Sequence, residues 1–283
     1  MNFKIALIQT DLAFGMREKN LEKLEDLIVS AAKDGAKIVC LPESCNNGYS
    51  NQIQELMEMS ESEDGETLTR MRALAKQLKI YLIVPVFLRK ANGCANAAFL
   101  LSDRGEILGH YEKTCLVPPI ESSLVCPGTD YPVFETDYGR IGIIICNDLC
   151  YPEPARILGI QWADVIFVVS AWRYSEDCGT LNWWDFLMRS RAVENDVLLC
   201  AVNRVGAEDG IPFSGGSAIV SPDGKILQSS QFPAREEMLL FETSLEDIRE
   251  MKKQNIAHIT ARKPELYSQL CSPIILPQGL SEQ

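Results

Sequence analysis

Short apolar runs alternate along the chain with stretches in which apolar residues recur every three or four positions, and this alternation restricts it to an α/β fold. Ile5 to Ile8 reads as a strand. Leu21, Leu24, Ile28 and Ala31 fall at helical spacing with charged residues between them, and Gly35 stops that helix. Ile38 to Leu41 is a second strand running into Pro42 and Glu43. The round then recurs: a helix from about Glu66 to Leu78, strands Ile80 to Leu88 and Asn96 to Leu101, and a turn at Ser102-Asp103-Arg104-Gly105 leading to Ile107. Between Lys113 and Pro132, Pro118, Pro119, Pro127 and Gly128 break all periodicity, which predicts a long ordered loop of the kind that often carries function.

The second half repeats the theme without alignable repetition. Ile141 to Ile145 is a buried strand, followed by a turn and a helix from about Glu153 to Trp162. Val165 to Val169, Leu198 to Val202 and Ser217 to Val220 complete the strand set, with a helical stretch Leu181 to Glu194 between the first two. Ser221-Pro222-Asp223-Gly224 is a hairpin turn. The pattern weakens after about residue 255, so the expected division is one domain over 1–255 and a C-terminal extension over 256–283. That extension lies across a partner subunit or is a mobile terminus; the sequence leaves both open.

Composition narrows the function classes. With 46% hydrophobic residues the chain can bury an ordinary core without disulfides or metals to staple it. The formal charge of −12 opposes non-specific binding to nucleic acid or anionic membrane and favours a small-molecule substrate. The apolar stretch in the first residues is too short for a signal peptide, and no run approaches the roughly 20 apolar residues that span a bilayer, so a cytoplasmic protein is expected. There its ten cysteines would remain thiols. They form no CxxC pair and only His110 and His258 accompany them, so no metal is expected and a catalytic cysteine would need a base other than histidine.

Three residues can do chemistry. Cys146 ends the strand Ile141 to Ile145 and precedes a helix that Pro152 and Glu153 would open. Such a turn exposes a nucleophile near helical N–H groups that lower a thiol pKa, although on local grounds alone a buried structural thiol is the commoner case. Glu43 follows the strand Ile38 to Leu41, where a solvated loop carboxylate is the plain alternative, and Lys113 follows a strand edge, where a surface lysine is. Their combination changes the reading: in an α/β sheet the strand C-terminal ends gather at one edge, and all three residues lie at such ends. Together they are a nucleophile, a proton acceptor and a charge stabiliser.

The stretches Leu41-Pro42-Glu43, Tyr111-Glu112-Lys113 and Gly139 through Cys146-Asn147-Asp148 to Tyr151-Pro152-Glu153-Pro154-Ala155-Arg156 closely resemble the Glu-Lys-Cys motifs of the nitrilase superfamily of carbon–nitrogen hydrolases. The similarity continues through Arg191-Ala192-Val193-Glu194-Asn195, Asn203-Arg204-Val205-Gly206 and Phe213-Ser214-Gly215-Gly216-Ser217, covering about residues 3 to 245. It implies a four-layer α-β-β-α sandwich, assembly as a homodimer or higher homo-oligomer, Cys146 as nucleophile, Glu43 as base, Lys113 as oxyanion stabiliser, and no cofactor. Glu121 resembles the second glutamate of the family, which supports the lysine and positions substrate. The backbone N–H of Asn147 resembles the oxyanion donor; its side chain departs from the Tyr, Trp or Arg common there, which leaves substrate shape open. Ala171 and Trp172, after the next strand, and Tyr49 are pocket candidates by the same resemblance, and Asp148, Glu153 and Arg156 are expected to form ion pairs that fix the turn. The resemblance implies hydrolysis of a non-peptide C–N bond in a small linear amide or N-carbamoyl compound. The short chain and the lack of a Trp-Glu pair after Cys146 weigh against a nitrilase, which remains the alternative, as does a catalytically silent dimeric binding protein. Cys45, Cys115, Cys126 and Cys150 lie near these motifs in sequence, as oxidation-sensitive thiols or incidental ones.

Overall fold

A computed structural model of the chain describes residues 2–122, 124–173, 183–231, 234–253 and 256–273. The first half contains β1 (Asn2–Gln9), α1 (Arg17–Lys33), β2 (Ala36–Cys40), α2 (Ile53–Glu58), α3 (Glu66–Leu78), β3 (Tyr81–Lys90), β4 (Gly93–Leu101) and β5 (Ile107–Glu112). The second contains β6 (Val133–Thr136), β7 (Gly139–Ile145), α4 (Pro152–Ile160), β8 (Val165–Ser170), α5 (Trp183–Asn195), β9 (Leu198–Asn203), the short hairpin β10 (Ala207–Glu208) and β11 (Ile211–Pro212), then β12 (Ala218–Val220), β13 (Ile226–Ser229), β14 (Glu237–Ser244), α6 (Leu245–Lys253) and α7 (Ala257–Thr260). The first two residues of the helical stretch read from Leu181 lie outside the described residues.

Two six-stranded sheets form, ordered β14-β1-β2-β3-β4-β5 and β13-β12-β9-β8-β7-β6. Each has a parallel centre, β1-β2-β3 in one and β7-β8-β9 in the other, flanked by antiparallel strands.

The period-2 alternation of side chains assigns the layers. On β1, Phe3, Ile5 and Leu7 enter the core shared by the two sheets, while Ala6 and Ile8 face α1 and α3. On β7, β8 and β9, Ile141, Ile143, Ile145, Val165, Phe167, Val169, Leu198, Cys200 and Val202 meet the first sheet across that core. The alternate residues Ile144, Ile166, Val168, Leu199 and Ala201 pack under α4 and α5. A strand buried on both faces must be apolar throughout, which is why these runs are continuous in the sequence. The result is the four-layer α-β-β-α sandwich.

Several elements were not legible in the sequence, among them α2, β6, β14 and α6. In β14, Met238-Leu239-Leu240-Phe241 between glutamates has no decisive period. It becomes a strand because it pairs antiparallel along the whole of β1, from Asn2 opposite Ser244 to Gln9 opposite Glu237. In the described part of the C-terminal stretch, Ile259 is buried and His258 Nδ1 lies 3.0 Å from the Val193 carbonyl on α5, while Leu266 and Leu270 are exposed.

Candidate active site

The parallel strands of both sheets end at the same edge of the sandwich, and the loops leaving them build one cluster. After β2 the chain turns sharply, with Ser44 at φ +50° and Cys45 N–H bonded to the Pro85 carbonyl at 2.9 Å, which leaves Glu43 fully buried. Lys113 follows β5; its N–H donates to Asn96 O at 2.8 Å and its carbonyl accepts from Gly128 N at 2.9 Å, so its backbone is clamped on both sides. Glu121 sits in the long loop, where its Oε2 accepts the Val117 N–H at 2.9 Å and its own N–H returns to the Val117 carbonyl at 2.8 Å.

Cys146 comes directly after β7 at φ +46°, opening a 3₁₀ turn over Cys146–Cys150. A side-chain-bearing residue in the left-handed region is strained, and the strain is held by what surrounds it. Asp148 does this: its carboxylate accepts Ile145 N–H and Tyr111 O–H, each at 2.8 Å, and Cys115 N–H at 2.9 Å. One buried side chain thus ties the turn of the second sheet to β5 and its following loop in the first. The ion pairs expected among Asp148, Glu153 and Arg156 are absent from the described residues. Asp148 meets neutral donors rather than a cation, which serves a buried carboxylate as well because each donor is a fixed dipole already in the fold.

Lys113 Nζ lies 3.1 Å from Glu43 Oε1 and 2.8 Å from Glu121 Oε2, with all three side chains completely buried. Asn96 Nδ2 donates to Glu43 Oε1 at 2.7 Å and to Glu121 Oε1 at 3.2 Å, and Glu43 Oε2 accepts the Ala171 N–H at 2.8 Å. Burial alone would lower the lysine pKa, but the two carboxylates outweigh it and raise it well above its ordinary value. Burial pushes Glu121 up, yet Lys113 and its hydrogen bonds hold it below the usual carboxylate range. Burial and the Glu43 carboxylate push the Cys146 thiol well up, against the lowering effect of Lys113, so the resting sulfur is protonated. The cluster can therefore receive a proton from the thiol rather than rely on a standing thiolate.

The sequence places Asn96 in a strand and marks no role for it. The signal was available: a buried amide among the small and apolar residues of Gly93–Leu101 is costly unless partnered. Its partners, however, come from two loops far away in sequence.

A cleft of about 250 Å³ opens over Cys146, and Tyr49, Asn147, Ala171, Trp172 and Arg173 are among its lining residues. A larger groove of about 460 Å³ over Asp11, Lys23 and Glu236 contains no cysteine, serine or threonine. The Tyr49 ring centre is 5.9 Å from Lys113 Nζ, a cation–π distance. Trp172 both lines the cleft and packs on Trp184, ring centres 5.5 Å apart. The Asn147 amide nitrogen donates to the carbonyls of Cys115 and Leu116 at 3.1 and 3.2 Å, so this side chain holds the neighbouring loop even as it lines the cleft. Of the cysteines near the motifs, Cys150 lines the cleft, Cys45 is fully buried, and burial raises Cys115 to about 12. Among the described residues no group of His, Cys, Asp and Glu is placed to hold a metal ion, and no helix is long and apolar enough to cross a membrane.

Comparison with known proteins gives the family. The family model described as carbon-nitrogen hydrolase matches residues 4–253. A nitrilase from Pyrococcus abyssi is 30% identical over 267 residues, covering 93% of this chain and 98% of its own. The carbon-nitrogen hydrolase from Helicobacter pylori G27 superposes with a TM-score of 0.85 at 26% identity, covering 96% of this chain and 99% of its own. A mutant amidase from Nesterenkonia sp. AN1, with the acetamide moiety of fluoroacetamide added covalently at its active-site cysteine, superposes with a TM-score of 0.82 at 25% identity, covering 94% and 96%. With this family match and this edge-of-sheet cluster, the chain belongs to the carbon–nitrogen hydrolases of the nitrilase superfamily and is an enzyme of C–N bond hydrolysis.

Proposed function

We propose that the chain hydrolyses a small linear amide or N-carbamoyl compound, with Cys146 as nucleophile, Glu43 as general base and acid, Lys113 and the Asn147 N–H as oxyanion donors, and Glu121 as the group that holds Lys113. The observation that carries this reading is the sealed Glu43–Lys113–Glu121 cage beside a strained Cys146 in a small cleft. The thiol proton passes to Glu43 as sulfur attacks the carbonyl carbon, and the tetrahedral oxyanion collapses to expel ammonia or an amine, which takes the proton back from Glu43. A thioester remains. Glu43 then removes a proton from water, the hydroxide attacks the thioester carbonyl, and the Cys146 sulfur leaves as it takes that proton back from Glu43, releasing the free acid. All groups needed are side chains or backbone of this chain. The amidase from Nesterenkonia sp., whose active-site cysteine carries an acetamide adduct, supports the covalent step.

Mass spectrometry of quenched reactions tests the roles. Wild-type protein given a panel of amides, N-carbamoyl compounds and nitriles should release ammonia or amine and carry an acyl mass on Cys146. Glu43→Gln should slow acylation by about 10²- to 10⁴-fold, the usual worth of a positioned base. Cys146→Ala should bind substrate without turnover. Near-normal ammonia release by Glu43→Gln would remove Glu43 from the mechanism, and hydrolysis of nitriles alone would move the substrate class.

The exposed Tyr151, Ile160, Trp162, Trp183 and Phe186, on or beside α4 and α5, form an apolar outer surface that suits self-association. Sedimentation equilibrium should find a homodimer; a monomer at micromolar concentration would set that part aside.

A further inference from the structure

Arg173 is the residue of the cleft that the proposed mechanism does not use. It follows Trp172, bridges to Phe213 as an isolated antiparallel pair, and lines the same cavity as Cys146. Its guanidinium carbon stands 5.4 Å from the Phe213 ring centre, while Arg204 stacks on that ring at 4.1 Å. The two arginines differ in one respect. Arg204 donates to Asp11 Oδ1 at 3.1 Å and to the Leu12 carbonyl at 2.6 Å, whereas Nε, Nη1 and Nη2 of Arg173 are all buried without any hydrogen-bond partner. Among the described residues no other arginine has its whole guanidinium both buried and unpartnered. Glu208 senses the Arg173 charge, but less than it senses Arg204, and makes no ion pair with it.

A fork of buried, unpartnered N–H groups is costly in a folded protein unless something else fills it. Here the fork borders the substrate cleft. Glu43, Glu121 and Lys113, buried near Cys146, together leave one net negative charge there if both carboxylates are ionised, so an anionic substrate would be repelled unless a cation held its charge away from the reacting carbonyl. The planar guanidinium matches a carboxylate in bidentate fashion.

Building on the proposed hydrolase reading, we infer that Arg173 determines specificity by binding a carboxylate at the far end of the substrate, so that the preferred substrate is a carboxylate-bearing linear amide or N-carbamoyl compound. The residue touches substrate away from the scissile bond and takes no part in proton transfer.

The test uses the full chain carrying Cys146→Ala, in which binding is read without turnover. Calorimetric Kd values are compared for succinamate and glutaramate against the neutral butyramide and valeramide, before and after adding Arg173→Gln or Arg173→Lys. The carboxylates should bind at least 10-fold tighter, and Arg173→Gln should weaken them roughly 10- to 100-fold while moving the neutral amides less than about 3-fold, the scale of one charge-assisted contact. Arg173→Lys, which keeps the charge and loses the fork, should retain a reduced preference and decides the matter if the glutamine variant does not fold. Equal or undetectable binding of both sets, or a preference that survives Arg173→Gln, overturns the inference. Thioester formation on the wild type is read separately. Turnover of charged and neutral amides alike, independent of Arg173, removes the carboxylate site and leaves the hydrolase reading standing; an Arg173-dependent Kd preference with no acyl-enzyme does the reverse.

Discussion

Lys113 gains its position from two carboxylates, and each depends on it in return. Moving three charged groups out of water is tolerated only because Glu43 and Glu121 both lie within 3.1 Å of Nζ and Asn96 bridges the two carboxylates. Glu121 has a folded pKa below its unfolded one, so its contribution to stability is fully present above the unfolded value near pH 4.3 and fades as pH falls through the folded value. Glu121→Gln should therefore cost roughly 2–4 kcal/mol at pH 7, less than the full loss of a buried pair because Glu43 still faces Lys113. The gap to wild type should close below about pH 4, as urea titrations across pH would show; a gap that stays constant would mean the carboxylate is not ionised in the fold. The raised thiol of Cys146 has a parallel consequence: with substrate absent, iodoacetamide should label it slowly at neutral pH, and labelling should accelerate as pH rises.

At the scale of elements, the nucleophile turn depends on how closely α4 lies on β7. Gly142 faces Leu158 of α4, and a Cβ there would stand 2.8 Å from Leu158 Cδ1. Gly142→Ala should thus force the helix or the leucine to shift, costing about 1–3 kcal/mol, and because α4 follows the Cys146 turn, kcat should fall with Tm. A Tm drop with kcat intact would show that the turn is held by Asp148 alone. The elements themselves divide by how their signal arises. α3 is read as Glu66 to Leu78 and found there, since its apolar spacing and its exposed charges are local facts. Edge strand β14 was not, because its partner β1 lies more than 200 residues earlier in the chain.

At the scale of the whole molecule, the two sheets are joined at the active edge by polar struts as well as by the core. Gln9 of β1 accepts from Ser217 N at 3.0 Å and Oγ at 2.8 Å, and Arg204, just past β9, reaches the Asp11 and Leu12 positions after β1. Arg204→Met should preserve much of the stacking on Phe213 but strand the Leu12 carbonyl, lowering stability by about 1–3 kcal/mol; an unchanged Tm would show that the core alone fixes the sheets. The sequence by itself determined the α/β class, the layer-forming apolar runs and, through the spaced motifs around Glu43, Lys113 and Cys146, the residues that meet. The class and the runs are matters of local period and residue type, and the three residues are marked by motifs that resemble the family's. Only the tertiary structure decided that Asn96 bridges two carboxylates, that Asp148 anchors the turn through neutral donors, and that the Asn147 side chain serves a loop while Arg173 stands unpartnered at the cleft. Each of those depends on which atoms from distant loops arrive within hydrogen-bond reach, and that is fixed by packing the two sheets together rather than by any stretch of sequence.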